Sequence, residues 1–367
     1  MEKKQILTEA LIRQNPYEYT YEEIAECVGN EKADEFYRNL YGRFRKKNYS
    51  TIKIKDIYKG PDTQKYAFEL ADGYCIETVC IKRKTGLTVC ISTMVGCPVG
   101  CVFCASGKNG FIRNLTPSEI VQQVVLVNGK VNRIVFMGMG EPLFNYDNVI
   151  KSIHILRDRK GLDFPTDGIT ISTVGPIPQL KRLREEHLKI QLTLSLHATD
   201  QRTRDYIIPH AKVYKIEDVV NSVLSYSERH NRTVTIAYLL IPGLNDRKSD
   251  VHQLGRWFKG QNVLINLLQY NETDCKLVRR PNKQELVAFR DKLNAVGLNV
   301  KIRESRGGNI KAACGQLVSK FNRIANTKNE NTVPSIKNTK IHFPRQSTEK
   351  IKAGSTSNSS KSRRKTK

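Results

Sequence analysis

Between residues 87 and 304 short apolar runs alternate with helical patterning, and that alternation limits the fold more than any other feature of the chain. The runs are LTVCIST (87–93), NRIVFMG (132–138), GITISTV (168–174), IQLTLSL (190–196), TVTIAYLLI (233–241), NVLINLL (262–268) and LNVKIRE (298–304). They are nearly continuous in apolar character, which marks strands buried on both faces. Strand–helix repetition of this kind builds a parallel sheet covered by helices. Six or so such units suit a partial TIM-like barrel or a doubly wound sheet. In both, functional side chains gather at the C-terminal ends of the strands.

The unusual residues sit at those ends. Gly138-Met139-Gly140-Glu141 follows the second run, Ser172 lies in the third, and Ser195 and His197 end the fourth. The chain ahead of the alternation reads differently. Residues 1–60 are polar with apolar residues at helical spacing, which predicts a small N-terminal helical accessory domain that binds RNA if the chain does. Residues 61–86 form a connector, in which 64–83 alternate like a hairpin with its turn at Asp72-Gly73. The repeating region then occupies 87–324. Residues 325–367 are rich in Ser, Thr, Asn and Lys with few large apolar groups, and are expected to be a disordered basic tail.

Residues 97–119, CPVGCVFCASGKNGFIRNLTPSE, place Cys97, Cys101 and Cys104 in a CxxxCxxC pattern. A structural zinc site takes four ligands, usually as two separated pairs, so it would need a remote Cys or His here. A [4Fe–4S] cluster held by three thiolates leaves one iron without a protein ligand. That iron can take a molecule with an amine and a carboxylate. S-adenosylmethionine has both, and one-electron reduction of its sulfonium releases a carbon radical. Gly96 and Gly100 let the backbone turn around the thiolates, and Phe103 can shield the last ligand. Thr116, Pro117 and Glu119 mark a helix start directly after the loop.

GCPVGCVFCASGKNGFIRNLTPSEI, FMGMGEPLFN, ISTVGPIPQL, LTLSLHA, IPGLND and AACGQL occur in that order between residues 75 and 318. This set resembles the RlmN/Cfr family of radical-SAM RNA adenine methyltransferases. The resemblance implies a partial (β/α)6 TIM-like barrel of the radical-SAM type, one [4Fe–4S] cluster on Cys97, Cys101 and Cys104, and S-adenosyl-L-methionine as methyl and radical source. It implies methylation of an sp2 adenine ring carbon, C2 or C8, in large-subunit (23S) rRNA, with tRNA as a further candidate. The family's route uses a methylated cysteine, which Cys314 matches, and a resolving cysteine, which Cys90 matches. Glu77 matches the proton acceptor. Gly140, Glu141, Ser172, Ser195, Leu196, His197 and Asn271 match the S-adenosylmethionine positions, with the Glu141 carboxylate suited to the ligand's ammonium. A disulfide bond is among the features the resemblance brings. FMGMGEPLFN is closer to the C2 members and IPGLND to the C8 members, so the target carbon stays open at this level.

Charge agrees with a polyanionic partner. The chain carries a formal +25; residues 325–367 hold 11 Lys or Arg against 2 Glu, which leaves +16 on the rest. Nucleic acid is the simplest partner for such an excess. Arg202, Arg204, Arg232 and Arg303 fall near strand ends or loops as candidate RNA contacts around an extruded adenine. No apolar run is long enough to span a membrane and no secretion signal is visible, so a cytoplasmic monomer without a membrane partner is expected. An external electron donor such as flavodoxin or ferredoxin is implied. Two other readings compete: a ribosome-binding or RNA-binding protein with a structural cluster, and a radical-SAM enzyme with a non-RNA substrate.

Overall fold

The computed structural model describes residues 7–42, 49–108, 110–273, 275, 278–318 and 321–322. The expected tail, 325–367, lies outside the described residues. The chain up to Ile324 forms one compact unit.

It begins with three helices, α1 (Glu9–Gln14), α2 (Tyr21–Val28) and α3 (Asn30–Tyr41). Each start is chemically legible. Thr8 caps α1, and Thr20 and Glu23 form a reciprocal capping box on α2. Ile12, Ile24, Phe36, Tyr37 and Leu40 are buried beneath them. Three antiparallel strands follow: β1 (Lys53–Lys59), β2 (Thr63–Glu69) and β3 (Cys75–Arg83). β1 falls inside the span read as helical, because KIKDIYK alternates at strand rather than helix period. The predicted hairpin turn holds. Gly73 adopts φ +84° and the Asp72 carboxylate accepts from Tyr74 N at 3.2 Å.

β4 (Gly86–Ile91) pairs antiparallel with β3 and starts the parallel run. After it come β5 (Met94–Gly96), the short α4 (Ala105–Lys108), β6 (Phe111–Asn114) and α5 (Pro117–Val125). The repeat then continues through β7 (Val131–Phe136), α6 (Tyr146–Arg157), β8 (Ile169–Thr173), α7 (Ile177–Glu185) and β9 (Gln191–Ser195). It ends with α8 (Gln201–Ile207), α9 (Ile216–His230), β10 (Val234–Leu239), α10 (Lys248–Phe258), β11 (Val263–Leu268), α11 (Lys283–Ala295) and β12 (Val300–Arg303). All seven apolar runs are strands.

The sheet order is β1-β2-β3-β4-β7-β8-β9-β10-β11-β12. The parallel strands enter in chain order without a reversal. A doubly wound sheet needs a reversal at its switch point, so the architecture is an open sector of a barrel, with β1 and β12 as unjoined edges. The strand side chains Ile134, Ile171, Leu192, Leu194, Ile236 and Ile265 are nearly inaccessible under the outer helices, whereas Ser172, Thr193, Ser195 and Ala237, which alternate with them, face the cleft. The N-terminal helices dock on the outer layer, where Ser118 N at the start of α5 donates to the Glu18 carboxylate at 3.1 Å.

Candidate active site

The cysteine loop is pinned at its base by a feature the sequence did not announce. β5 and β6 pair antiparallel as a separate two-stranded clasp, Met94 opposite Asn114. Cys97 N donates to Gly110 O at 2.9 Å. At Gly96, φ is +79° and a Cβ would stand 2.0 Å from Gly110 O, so glycine is required there. Thr116 and Glu119 form the predicted capping box, which fixes where the loop ends and α5 starts.

Cys97, Cys101 and Cys104 line one cleft at the C-terminal ends of the parallel strands, with an empty volume of about 1160 Å³ including its open mouth. Burial pushes all three thiols up, Cys97 to about 12, and the negative charge of Cys104 raises Cys97 further. Left alone they are neutral thiols; a metal centre supplies the charge that ionises them. Among the described residues no three His, Cys, Asp or Glu converge closely enough for a single metal ion. Three cysteines of one short loop that line a single cleft fit a cluster that takes three thiolates.

The same cleft is lined by most of the residues expected for S-adenosylmethionine: Gly140, Glu141, Ser172, Ser195, His197 and Asn271. Gly140 has φ +105°, and a Cβ would meet Met94 and Thr93 side-chain atoms at 2.7 Å. Glu141 is buried, its two oxygens accepting from Leu143 N (3.0 Å) and Val174 N (2.8 Å). Burial pushes its carboxyl up to about 7. The Ser172 and Ser195 hydroxyls lie 3.3 Å apart. His197 Nδ1 accepts from Leu239 N at 3.0 Å, which leaves the ring proton on Nε2. Leu196 differs: its side chain is in the core, and its backbone bonds Ala237 O and the Arg204 side chain.

Cys314 sits at the rim of this cleft and is exposed. Its segment is latched to the cluster loop, with Ala105 N donating to Gly315 O (2.7 Å) and Ser106 Oγ to Leu317 O (2.5 Å). Asn271 Nδ2 donates to Cys314 O at 3.0 Å. A smaller neighbouring cavity is lined by Cys90 and Cys314 together, with Val79, Ile81, Met137 and Arg303. Burial pushes the Cys90 thiol up to about 12; the charge of Cys314 adds to this and Arg303 opposes it. All nine cysteines are free, so the expected disulfide bond is absent from this structure.

Glu77 lines neither cavity. It lies on the β3 face that Val79 and Ile81 share, buried, in a 2.9 Å ion pair with Lys65. Glu77 also accepts from Val318 N (3.0 Å), and Lys65 donates to Lys311 O (3.2 Å). The pair therefore grips the Cys314 segment on both sides. Sequence reading missed this clamp, because β2 and residues 311–318 are remote in the chain.

The expected RNA-facing arginines separate. Arg303 lines both cavities and Arg202 is exposed on α8. Arg204 is 1% exposed and cannot touch RNA. Arg232 precedes β10, at the end of the sheet away from the cleft. Arg83 and Arg306, which line the smaller cavity, carried no sequence signal.

The Radical SAM superfamily model matches residues 91–254. A protein of Rhodopseudomonas palustris (strain BisB5) named "Probable RNA methyltransferase" is 49% identical over 259 residues, covering 71% of this chain and 72% of its own. One of Thermotoga sp. (strain RQ2) named "Probable dual-specificity RNA methyltransferase RlmN" is 40% identical over 322 residues, covering 84% of this chain and 93% of its own. The crystal structure of a radical SAM methyltransferase from Sphaerobacter thermophilus superposes with a TM-score of 0.77 at 32% identity, covering 82% of this chain and 98% of that one.

Proposed function

This chain belongs to the RlmN/Cfr family of radical SAM RNA methyltransferases, which use a [4Fe–4S] cluster and S-adenosylmethionine, and on that premise we propose that it methylates an adenine ring carbon, C2 or C8, in large-subunit rRNA through a methylated Cys314. The observation that carries this reading is the shared cavity of Cys90 and Cys314, opening beside the three cluster cysteines. An sp2 ring carbon is a poor nucleophile, so the methyl group must first be carried by the protein and then activated. When bound, the cluster and S-adenosylmethionine supply a one-electron cleavage that yields a carbon radical.

The chain's own residues then divide the work. Glu141 holds the ligand's ammonium and Ser172, Ser195 and the His197 Nε2–H offer hydrogen bonds. Leu196 contributes through its backbone, and Asn271 links the ligand wall to Cys314. Cys314, the accessible thiol, carries the methyl group and the adduct with the ring. Cys90, buried on the same cavity, resolves that thioether. Glu77, the acceptor that the family resemblance assigns to the ring proton, lines neither cavity here and instead holds the Cys314 segment through Val318 N. Arg83, Arg303 and Arg306 surround the cavity. Burial and the like charges of Arg306 and Arg303 hold Arg83 below the usual arginine range, which favours a polyanion at this mouth. The dual specificity named for relatives makes tRNA the second substrate class to test. A flavodoxin or ferredoxin supplies the electron, and the chain acts as a monomer in the cytoplasm.

The test is anaerobic incubation of the reconstituted chain with S-adenosylmethionine, a reductant and either rRNA fragments or tRNA, followed by mass spectrometry of nucleosides. The expected product is C2- or C8-methyladenosine, lost in Cys314→Ala while RNA binding remains. Methylation by Cys314→Ala would overturn the proposal. Binding without any methylated nucleoside from the native chain would favour the non-catalytic RNA-binding reading.

A further inference from the structure

Arg204 heads the fully buried side chains of the molecule by size, at 1% exposure. It lies on α8, and that stretch of chain is bonded directly to the cysteine loop. Val102 N donates to Ile207 O at 3.0 Å, and His210 N donates to Val99 O at 3.4 Å. The guanidinium reaches between two strand ends. Its Nε donates to Leu196 O (3.3 Å) and its Nη2 to Val174 O (2.6 Å). Both acceptors are neutral carbonyls. The adjoining Asp205 carboxylate is engaged by Gln201 Nε2, and among the described residues no carboxylate accepts from Arg204.

A full positive charge removed from water and met only by peptide dipoles is costly. Such a charge persists when an anion stands near it. The anion within reach is a metal-bound Cys101 thiolate: the Val102 N–Ile207 O bond ties α8 to the residue that follows Cys101, and negative charge at Cys101 acts favourably on the buried guanidinium. Cys101 is one of the three cluster ligands, and a cluster with three thiolates carries net negative charge. We propose that Arg204 is the fixed counter-charge of the cluster, a positioning residue beside Cys101 that stabilises the reduced state and raises its reduction potential.

The balance is simple. Reduction takes one electron from an external donor, breaks no bond and moves no proton, so the cluster becomes more negative by one charge. A cation held in a low-dielectric wall favours that state, and net charge and hydrogen bonding are established levers on cluster potential. Arg204 has no route to RNA or to the solvent, which separates this role from substrate binding. The inference needs the cluster site alone and not the identity of the methylated base.

The full chain is reconstituted with iron and sulfide, then titrated with dithionite without S-adenosylmethionine, with the reduced cluster followed by electron paramagnetic resonance. Arg204→Gln is expected to lower the reduced-to-oxidised ratio at a fixed potential at least tenfold, about 59 mV for one electron. Arg204→Lys, which keeps the charge, is expected to lose less than half of that shift. An unchanged midpoint in Arg204→Gln with a full cluster overturns the inference. If Arg204→Gln loads no cluster, iron content decides: loading by Arg204→Lys alone supports a demand for charge. Failure of both variants means that the hydrogen bonds to Leu196 and Val174 are the whole role, and overturns it.

Discussion

His197 shows how much of this site is set by single residues. Its φ of +57° is rare for a residue with a Cβ. That backbone turn lets Nδ1 accept from Leu239 N on the next strand and sets the ring edge-on to Phe103, centroids 5.1 Å apart. Burial, with a smaller push from the Arg204 charge, lowers the imidazole to about 3. In the unfolded chain it binds a proton near its ordinary value of about 6.5. Between these values the unfolded chain holds the extra proton, so stability falls as pH falls below 6.5, by up to about 1.4 kcal/mol per unit. Above 6.5 the group is neutral in both states and contributes no pH dependence. Denaturant unfolding at pH 7.5 and 5.5 should therefore show His197→Asn losing about 1 kcal/mol less than the native chain on acidification. Equal losses would mean that the imidazole is charged in the fold.

At the scale of elements, two small devices hold the chemistry in place. The β5–β6 clasp fixes the cysteine loop, and Gly96 is its tightest point. Gly96→Ala adds a Cβ against Gly110 O and forces a left-handed conformation on an L side chain, a strain of roughly 1–2 kcal/mol before the clash is counted. Iron and sulfide per chain after reconstitution should drop, with the rest of the fold retained by circular dichroism. Full loading would show that the clasp is dispensable. The second device is the Lys65–Glu77 pair, which grips the Cys314 segment through Lys311 O and Val318 N. Lys65→Met removes the cation 2.9 Å from the buried Glu77 carboxylate, which costs up to about 3–5 kcal/mol. Chemical denaturation should show that loss, and Lys65→Met with Glu77→Leu should recover part of it. Additive losses in the double variant would show that the two side chains do not act as a pair.

At the scale of the whole molecule, the open barrel divides labour between its ends. Cys97, Cys101, Cys104 and Cys314 share the cleft at the C-terminal ends of the parallel strands, and Arg303 lines both that cleft and the smaller cavity of Cys90. Residues 325–367 carry a net charge of +9, 11 Lys or Arg against 2 Glu, and are expected to add to RNA affinity. Removal of that segment should weaken RNA binding and make the slope of log affinity against log salt shallower by at least about 1, since each neutralised phosphate contributes about 0.7 to 0.9. Cluster loading should stay at the native level. An unchanged slope would assign RNA binding to the body alone.

Much of this was written in the chain itself. The seven apolar runs marked the seven parallel strands, because short apolar stretches set between helical segments suit strands covered by helices. The spacing of Cys97, Cys101 and Cys104 brought three thiols to one cleft, because residues on one short loop need no distant partner to meet. The capping residues determined where the helix α5 starts. Tertiary structure decided the rest. Winding in one direction, with no reversal, separated an open barrel from a doubly wound sheet. Arg204 and Arg232 looked as available for RNA as Arg303, and only packing showed one sealed against Leu196 O and Val174 O and the other at the wrong end. The same holds for Lys65, Glu77 and Cys314, brought together from residues nearly 250 apart in the chain. Local pattern records what a residue wants from its neighbours in sequence. Burial, charge pairing and shared cavities depend on which distant segments fill the space around it.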